Sequence, residues 1–566
     1  MARLNLDTIW PRLIAAADEM ATTLFRTAFS HDVVEVHDMS TGLYDDRGNL
    51  IGQTWLGATG HVGVMPVVGK QLVKTFPPEA TCPGDVFICN DPWVCNGQTA
   101  DIFVFTPAFH RDRVIGYSVN SVHHVDIGGR RGSGVSEEVF EEGLIIPLLR
   151  LYRAGQPNED LLAILTRNVR FSEKVMGDIR AQLAAGWVGA EALVRIVRDY
   201  QLDDLHAVAD EIIGRSEQAM RVGIASLPRG TFTQSMPLDI GGLDEPARIQ
   251  LSLTVHADRI AVDFEGTSPQ VRRPVNSPMN YTRAYVAVPL KMICDPVLPN
   301  NEGTYRPLQI SAPAGTLINP TYPAACFWRL ASGMLVSELV FRILAGIAPD
   351  RVPADSGSMP TWQFYVNGLR RNGEPWALHQ HAFGGMGGRP GADGLPAVSF
   401  PYNVRNVSVE WAETETPVLF LRRELIADSG GPGECRGGLG EELALTVERS
   451  ADQWAASPLT LSGSAGRMLY PAEGVAGGRP GRPGSIDVND KSIAPTSAPD
   501  VKFRPGDVVR LRTPGGGGHG PPGARRVAAV QADLHDGYVT SAAAGEQYAA
   551  SIVLKGDASA PTARRD

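Results

Sequence analysis

The sequence predicts a mixed α/β (α+β) protein of several lobes, with an antiparallel β-rich middle region and a glycine-rich C-terminal part. Its 566 residues are enough for several lobes around a large core. The 61 glycines and 42 prolines exceed what a helical bundle tolerates and indicate many turns and short strands. We expect an N-terminal α/β lobe, a β-rich lobe, a glycine-rich α/β lobe and a C-terminal extension, over residues 1–225, 226–325, 326–525 and 526–566.

The first lobe combines helices with strand pairs. Residues 7–29 have apolar side chains at helical spacing, which predicts a long amphipathic helix with Asp7 as its cap. Residues 42–51 predict a hairpin that reverses at Asp-Arg-Gly. Three further helices, which we expect to cover the sheet, are predicted at 158–168, 172–190 and 203–225.

The remaining elements follow from alternation and from apolar runs. Residues 230–266 alternate between apolar and polar side chains, which predicts antiparallel strands. Residues 330–347 are apolar almost all round but too short to span a bilayer, so we expect a buried helix. Beyond residue 525 there is little core-forming pattern, and we expect the last ten residues to be frayed.

Composition narrows the class of partner and the compartment. A net charge of -10 with no basic cluster argues against a nucleic-acid partner. No apolar run approaches a membrane span, and Asp7 and Asp18 stand where a signal peptide would be basic and then apolar, so we expect a cytoplasmic protein. The six cysteines contain no C-x-x-C pair, which predicts reduced thiols that mostly pack.

A histidine-rich hairpin is the main chemical feature. Residues 102–109 and 113–122 predict two strands, so Asp101 at the start of one strand should meet His123 or His124 at the end of the other. Successive side chains face opposite ways, so one histidine is expected to be structural. Carboxylate and imidazole suit zinc, manganese or iron. The alternative is that Asp101 caps a turn and the histidines pack in a core.

Glycine clusters and one isolated histidine have plainer interpretations. Residues 513–520 lack the spacing and the lysine of a phosphate loop, so nucleotide binding is not expected there. The glycines of residues 384–390 would allow a ligand to approach the backbone, but they are expected to pack turns together. His61 lies among small residues and is interpreted as a turn or core residue rather than a ligand. No nucleophile elbow or cysteine nucleophile motif occurs.

Eight segments in order resemble the B subunit of the hydantoinase/oxoprolinase family, whose relatives include subunits of acetone and acetophenone carboxylases. The segments cover nearly the whole chain: PGDVFICNDP (83–92), HHVDIGG (123–129), EEGLIIP (141–147), GDIRAQ (177–182), VDFEGTSPQ (262–270), LPNNEGTYRPL (298–308), DSGGPGECRGGLG (428–440) and TPGGGG (513–518).

The resemblance implies a soluble subunit that works in a hetero-oligomer with an A-type (HyuA-type) partner, which binds ATP and phosphorylates a carbonyl or amide oxygen of a small molecule. The B-type subunit is then expected to hold a divalent metal and to hydrolyse the activated cyclic amide, such as a hydantoin, 5-oxoproline or another lactam. Two alternatives stay open: carboxylation of a phosphorylated ketone enol, and a non-catalytic scaffold role. No contact with nucleic acid or membrane is implied.

The resemblance also indicates candidate metal-binding and catalytic residues. The family's His-Leu-Pro-Asp falls on Gln98 to Asp101, so the metal candidates are Asp38, Gln98, Asp101 and His123, with His124 as a candidate to support the ligands. Asp38, Asp101 and His123 are also the catalytic candidates. Gln98 replaces a family histidine and offers only a neutral amide oxygen, which binds such metals more weakly than imidazole. That departure motivates the scaffold alternative.

Overall fold

The structure, a computed structural model, describes residues 5–241, 243, 245–370, 372–448 and 459–548, and it confirms the mixed α+β class. Its α-helices are α1 (Leu6–Thr27), α2 (His31–Val34), α3 (Thr59–Thr75), α4 (Glu159–Asn168), α5 (Ser172–Asp199), α6 (His206–Ala225), α7 (Met279–Cys294), α8 (Glu302–Tyr305), α9 (Leu330–Ile347), α10 (Val409–Glu415), α11 (Val527–His535) and α12 (Ser541–Gln547).

The strands form four sheets. They are β1 (Met39–Asp45), β2 (Leu50–Gln53), β3 (Val86–Cys89), β4 (Asp101–His110), β5 (Arg113–His123), β6 (Leu149–Arg153), β7 (Gln156–Pro157), β8 (Gly230–Pro237), β9 (Arg248–Val255), β10 (Ile260–Asp263), β11 (Leu308–Ser311), β12 (Trp362–Leu369), β13 (Pro375–Ala382), β14 (Val418–Leu425), β15 (Glu441–Val447), β16 (Leu459–Ser464), β17 (Ser485–Val488), β18 (Lys491–Ser492), β19 (Asp500–Phe503) and β20 (Val509–Arg512).

The first sheet has the order β2-β1-β5-β4-β3-β6-β7, and its strands pair antiparallel. Both predicted hairpins are confirmed, as β1–β2 and as β4–β5. Helices α1 and α5 pack together beside this sheet, and α5 contacts β4 and β5 directly. The long strands β4 and β5 therefore lie near the centre of the sheet and are covered by helix.

The predicted helices of the first lobe are confirmed, with two corrections. Asp7 does not cap α1: Asn5 is the N-cap residue, and Asp7 lies in the first helical turn. Helix α5 continues to Asp199, beyond the predicted end at residue 190, because its apolar spacing continues through buried side chains at Leu193, Ile196 and Val197.

The middle region is antiparallel as predicted, apart from one parallel pair. The second sheet has the order β11-β10-β9-β8, and only β10 and β11 run parallel among its pairings in the described residues. Among those residues α9 is the one helix long and apolar enough to cross a membrane by length and composition, but 78% of that segment is buried inside the protein. The predicted buried helix is therefore confirmed, and α9 packs against α7, β8 and β9.

The third sheet (β13-β12-β16-β19) and the fourth (β14-β15-β20-β17-β18) interleave along the chain, and glycine-rich segments pack backbone to backbone beside them. A Cβ added at Gly385 would lie 1.8 Å from the carbonyl oxygen of Gly438, and one at Gly515 would lie 1.8 Å from that of Ser429. The interpretation of these glycines as packing residues is confirmed, since neighbouring backbone fills the space that a side chain would need.

The C-terminal helices contradict one expectation. Helices α11 and α12 bury a small cluster of their own, formed by Val530, Val539, Ala543, Ala544 and Tyr548. The expectation of little core-forming pattern beyond residue 525 is therefore wrong for this segment. The last ten residues lie outside the described residues, and the four predicted lobe boundaries stay predictions.

Candidate functional site

Asp101 and His123 meet across the central hairpin, as the strand pattern predicts. They are paired in register at the start of β4 and the end of β5, with 2.8 Å between Asp101 Oδ1 and His123 Nδ1. Both side chains are buried. His124 faces the other way, and its Nε2 lies 3.0 Å from Oε1 of Gln182 in α5. Strand alternation thus separates the two histidines, and His124 contacts the helical layer instead of Asp101.

Four nitrogen donors surround the Asp101 carboxylate. Its Oδ1 accepts from Gln98 Nε2 at 2.6 Å as well as from His123. Its Oδ2 accepts from Arg329 Nη2 at 2.8 Å and from the side-chain amide of Asn96. Arg329 immediately precedes α9 and is 2% exposed, so the start of that helix brings a buried positive charge to the strand end. In this arrangement Gln98 is a hydrogen-bond donor to the cluster.

His61 connects Asp101 to Asp38. From the buried side of α3, its Nε2 lies 3.2 Å from Asp38 Oδ1 and 3.5 Å from Asp101 Oδ2, while its Nδ1 lies 2.7 Å from Ser121 Oγ. The interpretation of His61 as a core residue is right about its burial but misses these polar contacts. Burial opposes ionisation of Asp101, yet His61 and Arg329 hold the pKa of its carboxyl well below the usual range.

The facing atoms of Asp38 and His61 fit a divalent cation. Asp38 Oδ2 accepts from the Tyr402 hydroxyl at 3.1 Å, but Asp38 Oδ1 and His61 Nε2 are buried without hydrogen-bond partners in the described part of the chain. Ligand atoms around a tetrahedral zinc, with bonds of about 2.0–2.1 Å, lie about 3.3 Å apart. The separations of His61 Nε2 from the Asp38 and Asp101 oxygens match that spacing, and carboxylate with imidazole is a suitable ligand set.

His123 continues the network on its other side. Its Nε2 lies 2.7 Å from the hydroxyl of Tyr365 in β12. Burial opposes protonation of His123, but the hydrogen bond and charge of Asp101 outweigh it and raise the pKa of the imidazole. The resulting chain of carboxylate, imidazole and phenol is of the kind that holds and moves a proton.

A second set of polar residues, which the sequence interpretation did not single out, lies behind Tyr365. His379 in β13 pairs in register with Tyr365, and their rings stack with centroids 4.2 Å apart. His379 Nδ1 lies 2.5 Å from Asp32 Oδ1, and His31 Nε2 lies 3.6 Å from the same oxygen. Burial lowers the pKa of His31 to about 4, although Asp32 opposes the shift. The only sequence signal is the His-Gln-His run at 379–381.

A cationic cavity of about 480 Å³ lies next to Tyr365, and its basic side chains are Arg130, Arg131, Arg170 and Lys502, with Asp500 as the acidic one. Arg170 and Lys502 are paired with carboxylates. Arg131 is not ion-paired in the described residues; its guanidinium lies 4.4 Å over the Tyr365 ring, and its Nη2 has no hydrogen-bond partner. The cavity wall therefore carries a guanidinium charge that no carboxylate of the described residues pairs, one ring away from His123.

Comparison with known proteins identifies the family. The family model described as Hydantoinase B/oxoprolinase matches residues 3–522. The chain belongs to the hydantoinase B/oxoprolinase family. Within it, the chain is 31% identical to an uncharacterised protein of Methanocaldococcus jannaschii over 98% of this chain and 97% of that protein. It is 29% identical to caprolactamase subunit beta of Pseudomonas jessenii, over 98% and 96%.

Solved structures agree with this hydantoinase B/oxoprolinase assignment. The ATP-dependent caprolactamase of Pseudomonas jessenii superposes with a TM-score of 0.88 at 28% identity, over 98% of this chain and 97% of that chain. The nucleotide-free acetone carboxylase superposes with a TM-score of 0.84 at 21% identity, over 96% and 79%. The second likeness shows a shared fold. The caprolactamase relative is a subunit of an ATP-dependent enzyme, so the family includes subunits of larger enzymes.

Proposed function

We propose that this chain is the B-type subunit of an ATP-dependent cyclic-amide hydrolase, which acts on a lactam or hydantoin phosphorylated by an ATP-binding A-type partner. The buried cluster of Asp38, His61, Asp101 and His123 beside the cationic cavity carries the proposal. The caprolactamase relative supports the reaction class, and its name as a β subunit supports a hetero-oligomer. We place this complex in the cytoplasm.

In this proposal Arg131 binds the substrate, and His123 with Tyr365 transfers a proton. Arg131 lines the cavity, and its guanidinium, which no carboxylate of the described residues pairs, suits the phosphoryl group of an activated intermediate. Asp101 fixes the His123 ring through Nδ1, so His123 Nε2 can take a proton from the Tyr365 hydroxyl or return it. Burial of the cluster excludes bulk water, which strengthens these electrostatic interactions.

Asp38, His61 and Asp101 would hold the divalent metal, zinc, manganese or iron, with Gln98 and His123 adjoining it. Such an ion would polarise the substrate's carbonyl or phosphoryl oxygen as a Lewis acid. Arg329 and the amide donors keep the Asp101 carboxylate in place whether or not an ion is bound, because they contact it directly.

The experiment is ATP turnover by the complex of this chain with its A-type partner. The hydrolase predicts ADP release that needs a lactam, tested with a hydantoin, 5-oxoproline and caprolactam, and no bicarbonate. Turnover only with a ketone and bicarbonate would instead establish the carboxylase alternative. Lack of turnover with either, despite correct assembly, would favour the scaffold alternative.

Substitutions in the buried cluster test whether its residues are needed for ATP turnover. Asp38→Asn and His123→Ala should each lower the turnover rate by about 10²-fold or more, since they remove a ligand and a proton-transfer group. Asp101→Ala should also abolish turnover, but it leaves Arg329 buried without its carboxylate and so tests folding as well. The matched control is His519→Ala, whose Nε2 lies 3.2 Å from the Pro349 carbonyl oxygen and outside the cluster, and it should leave the rate unchanged. Full activity in Asp38→Asn and His123→Ala would refute the assigned site.

A further inference from the structure

We propose that His31, Asp32 and His379 form a second divalent-metal site, separate from the Asp38–His61–Asp101 set and additional to the proposed function. Each residue offers one ligand atom, and the three atoms lie within 4.8 Å of one another. Two imidazoles and one carboxylate are a ligand set for zinc or iron(II), with remaining positions open to water.

The three residues converge from two elements. His31 and Asp32 begin the short helix α2, and His379 lies in β13. Asp32 Oδ1 is 2.5 Å from His379 Nδ1 and 3.6 Å from His31 Nε2. Ligand atoms around a tetrahedral zinc lie about 3.3 Å apart, so side-chain adjustments of about 1 Å complete the set.

Unpartnered polar atoms point to a bound cation. Both ring nitrogens of His31 and Asp32 Oδ2 have no hydrogen-bond partner among the described residues, although His31 is 3% exposed and Asp32 is fully buried. Buried polar groups are normally satisfied, and a group left without a partner calls for an explanation such as an ion. A cation accepts the lone pairs of both residues at once.

His379 is oriented as a metal-ligating histidine would be. Without an ion, its Nδ1–H donates to Asp32 Oδ1 at 2.5 Å; a bound ion would displace that proton, and the ring could then donate from Nε2 to Gln363 Oε1, 3.2 Å away. Metal-bound histidines commonly donate their other ring N–H to an oxygen acceptor in this way. The stacked Tyr365 ring holds the plane of the imidazole. The His379 ring is also 5.3 Å from that of His123, so a bound ion would lie close behind the Tyr365–His123 pair.

Elemental analysis of the purified full-length protein tests the proposal. Protein loaded with zinc and then desalted is compared as wild type, His31→Ala, His379→Gln and Asp38→Asn. The second site predicts that His31→Ala and His379→Gln each lose about one ion per chain while Asp38→Asn keeps that ion. The matched control is His206→Ala, a partly exposed histidine paired with Asp46, and it should keep the wild-type count.

The outcomes separate this site from the cluster of the proposed function. One ion in wild type that is lost in His31→Ala and kept in Asp38→Asn supports the second site and tells against the first. An unchanged ion count in both His31→Ala and His379→Gln overturns the second site. If those variants do not fold, zinc-loaded wild-type crystals decide the matter: an anomalous peak between His31, Asp32 and His379 supports the proposal, and its absence overturns it.

Discussion

At the scale of single residues, the site depends on a carboxylate that is neutralised from several directions. Asp101 is buried, and burying a lone carboxylate is costly unless charges and donors compensate. Arg329 supplies the charge at 2.8 Å, and Gln98 and His123 supply donors on the other oxygen. The network therefore stabilises an ionised Asp101 and aligns His123.

Gln98 gives the sharpest residue-scale prediction. Its Nε2 lies 2.6 Å from Asp101 Oδ1 and 2.9 Å from His123 Nδ1, so a side chain of similar reach at this position meets the cluster. If position 98 faces the ion, Gln98→His should raise zinc affinity about tenfold or more, because imidazole is the stronger ligand. Competition titration against a chromophoric chelator measures the change. Unchanged affinity would place residue 98 outside the ligand set.

The sequence predicts the local part of this site and misses the distant part. Asp101 and His123 are brought together by one hairpin, whose strands and turn are readable from β-branched and aromatic residues. His61 arrives on α3, and Arg329 and Tyr365 arrive from more than 200 residues away. Such contacts depend on how helices and sheets pack, which the alternation of side chains within one strand does not encode.

At the scale of elements, helices and strands can be predicted from the sequence where large apolar side chains recur at helical or strand spacing. This holds for the alternation in β9 and for the apolar length of α9. The sequence does not reveal α11 and α12, because they are short and rich in alanine and few large apolar side chains mark their buried face. The sequence predicts that the glycine segments pack together, but which segments pair depends on the tertiary structure.

The glycine packing predicts a position-dependent cost of adding a methyl group. Gly385→Ala should lower the free energy of unfolding by about 1–3 kcal/mol or more, because its Cβ would lie 1.8 Å from the Gly438 carbonyl oxygen. Gly523→Ala is the matched control, since a Cβ there meets no atom of the described residues within 4 Å. The midpoint of thermal unfolding compares the two variants. Equal midpoints would contradict the close backbone packing.

At the scale of the whole molecule, the N-terminal and C-terminal parts of the chain share one core and one site. A single hydrophobic cluster extends from Val36 to Leu511 and includes residues from all four sheets. The candidate site likewise joins Asp101 of the first sheet to Tyr365 of the third through His123. Opening the site therefore requires separating these two parts, and we expect them to unfold together.

The C-terminal helices should behave differently, and hydrogen exchange can detect it. Within the described residues, the α11–α12 cluster has five buried apolar residues, and ion pairs from Arg525 and Arg436 to Asp533 help to join it to the rest. Few buried apolar contacts favour local opening, so amides of α11 and α12 should exchange on the order of 10²-fold faster than those of β4 and β5. Hydrogen–deuterium exchange with mass spectrometry compares these peptides, with α9 as an internal reference for the core. Equal protection in the two regions would mean that the C-terminal helices open only when the whole molecule unfolds.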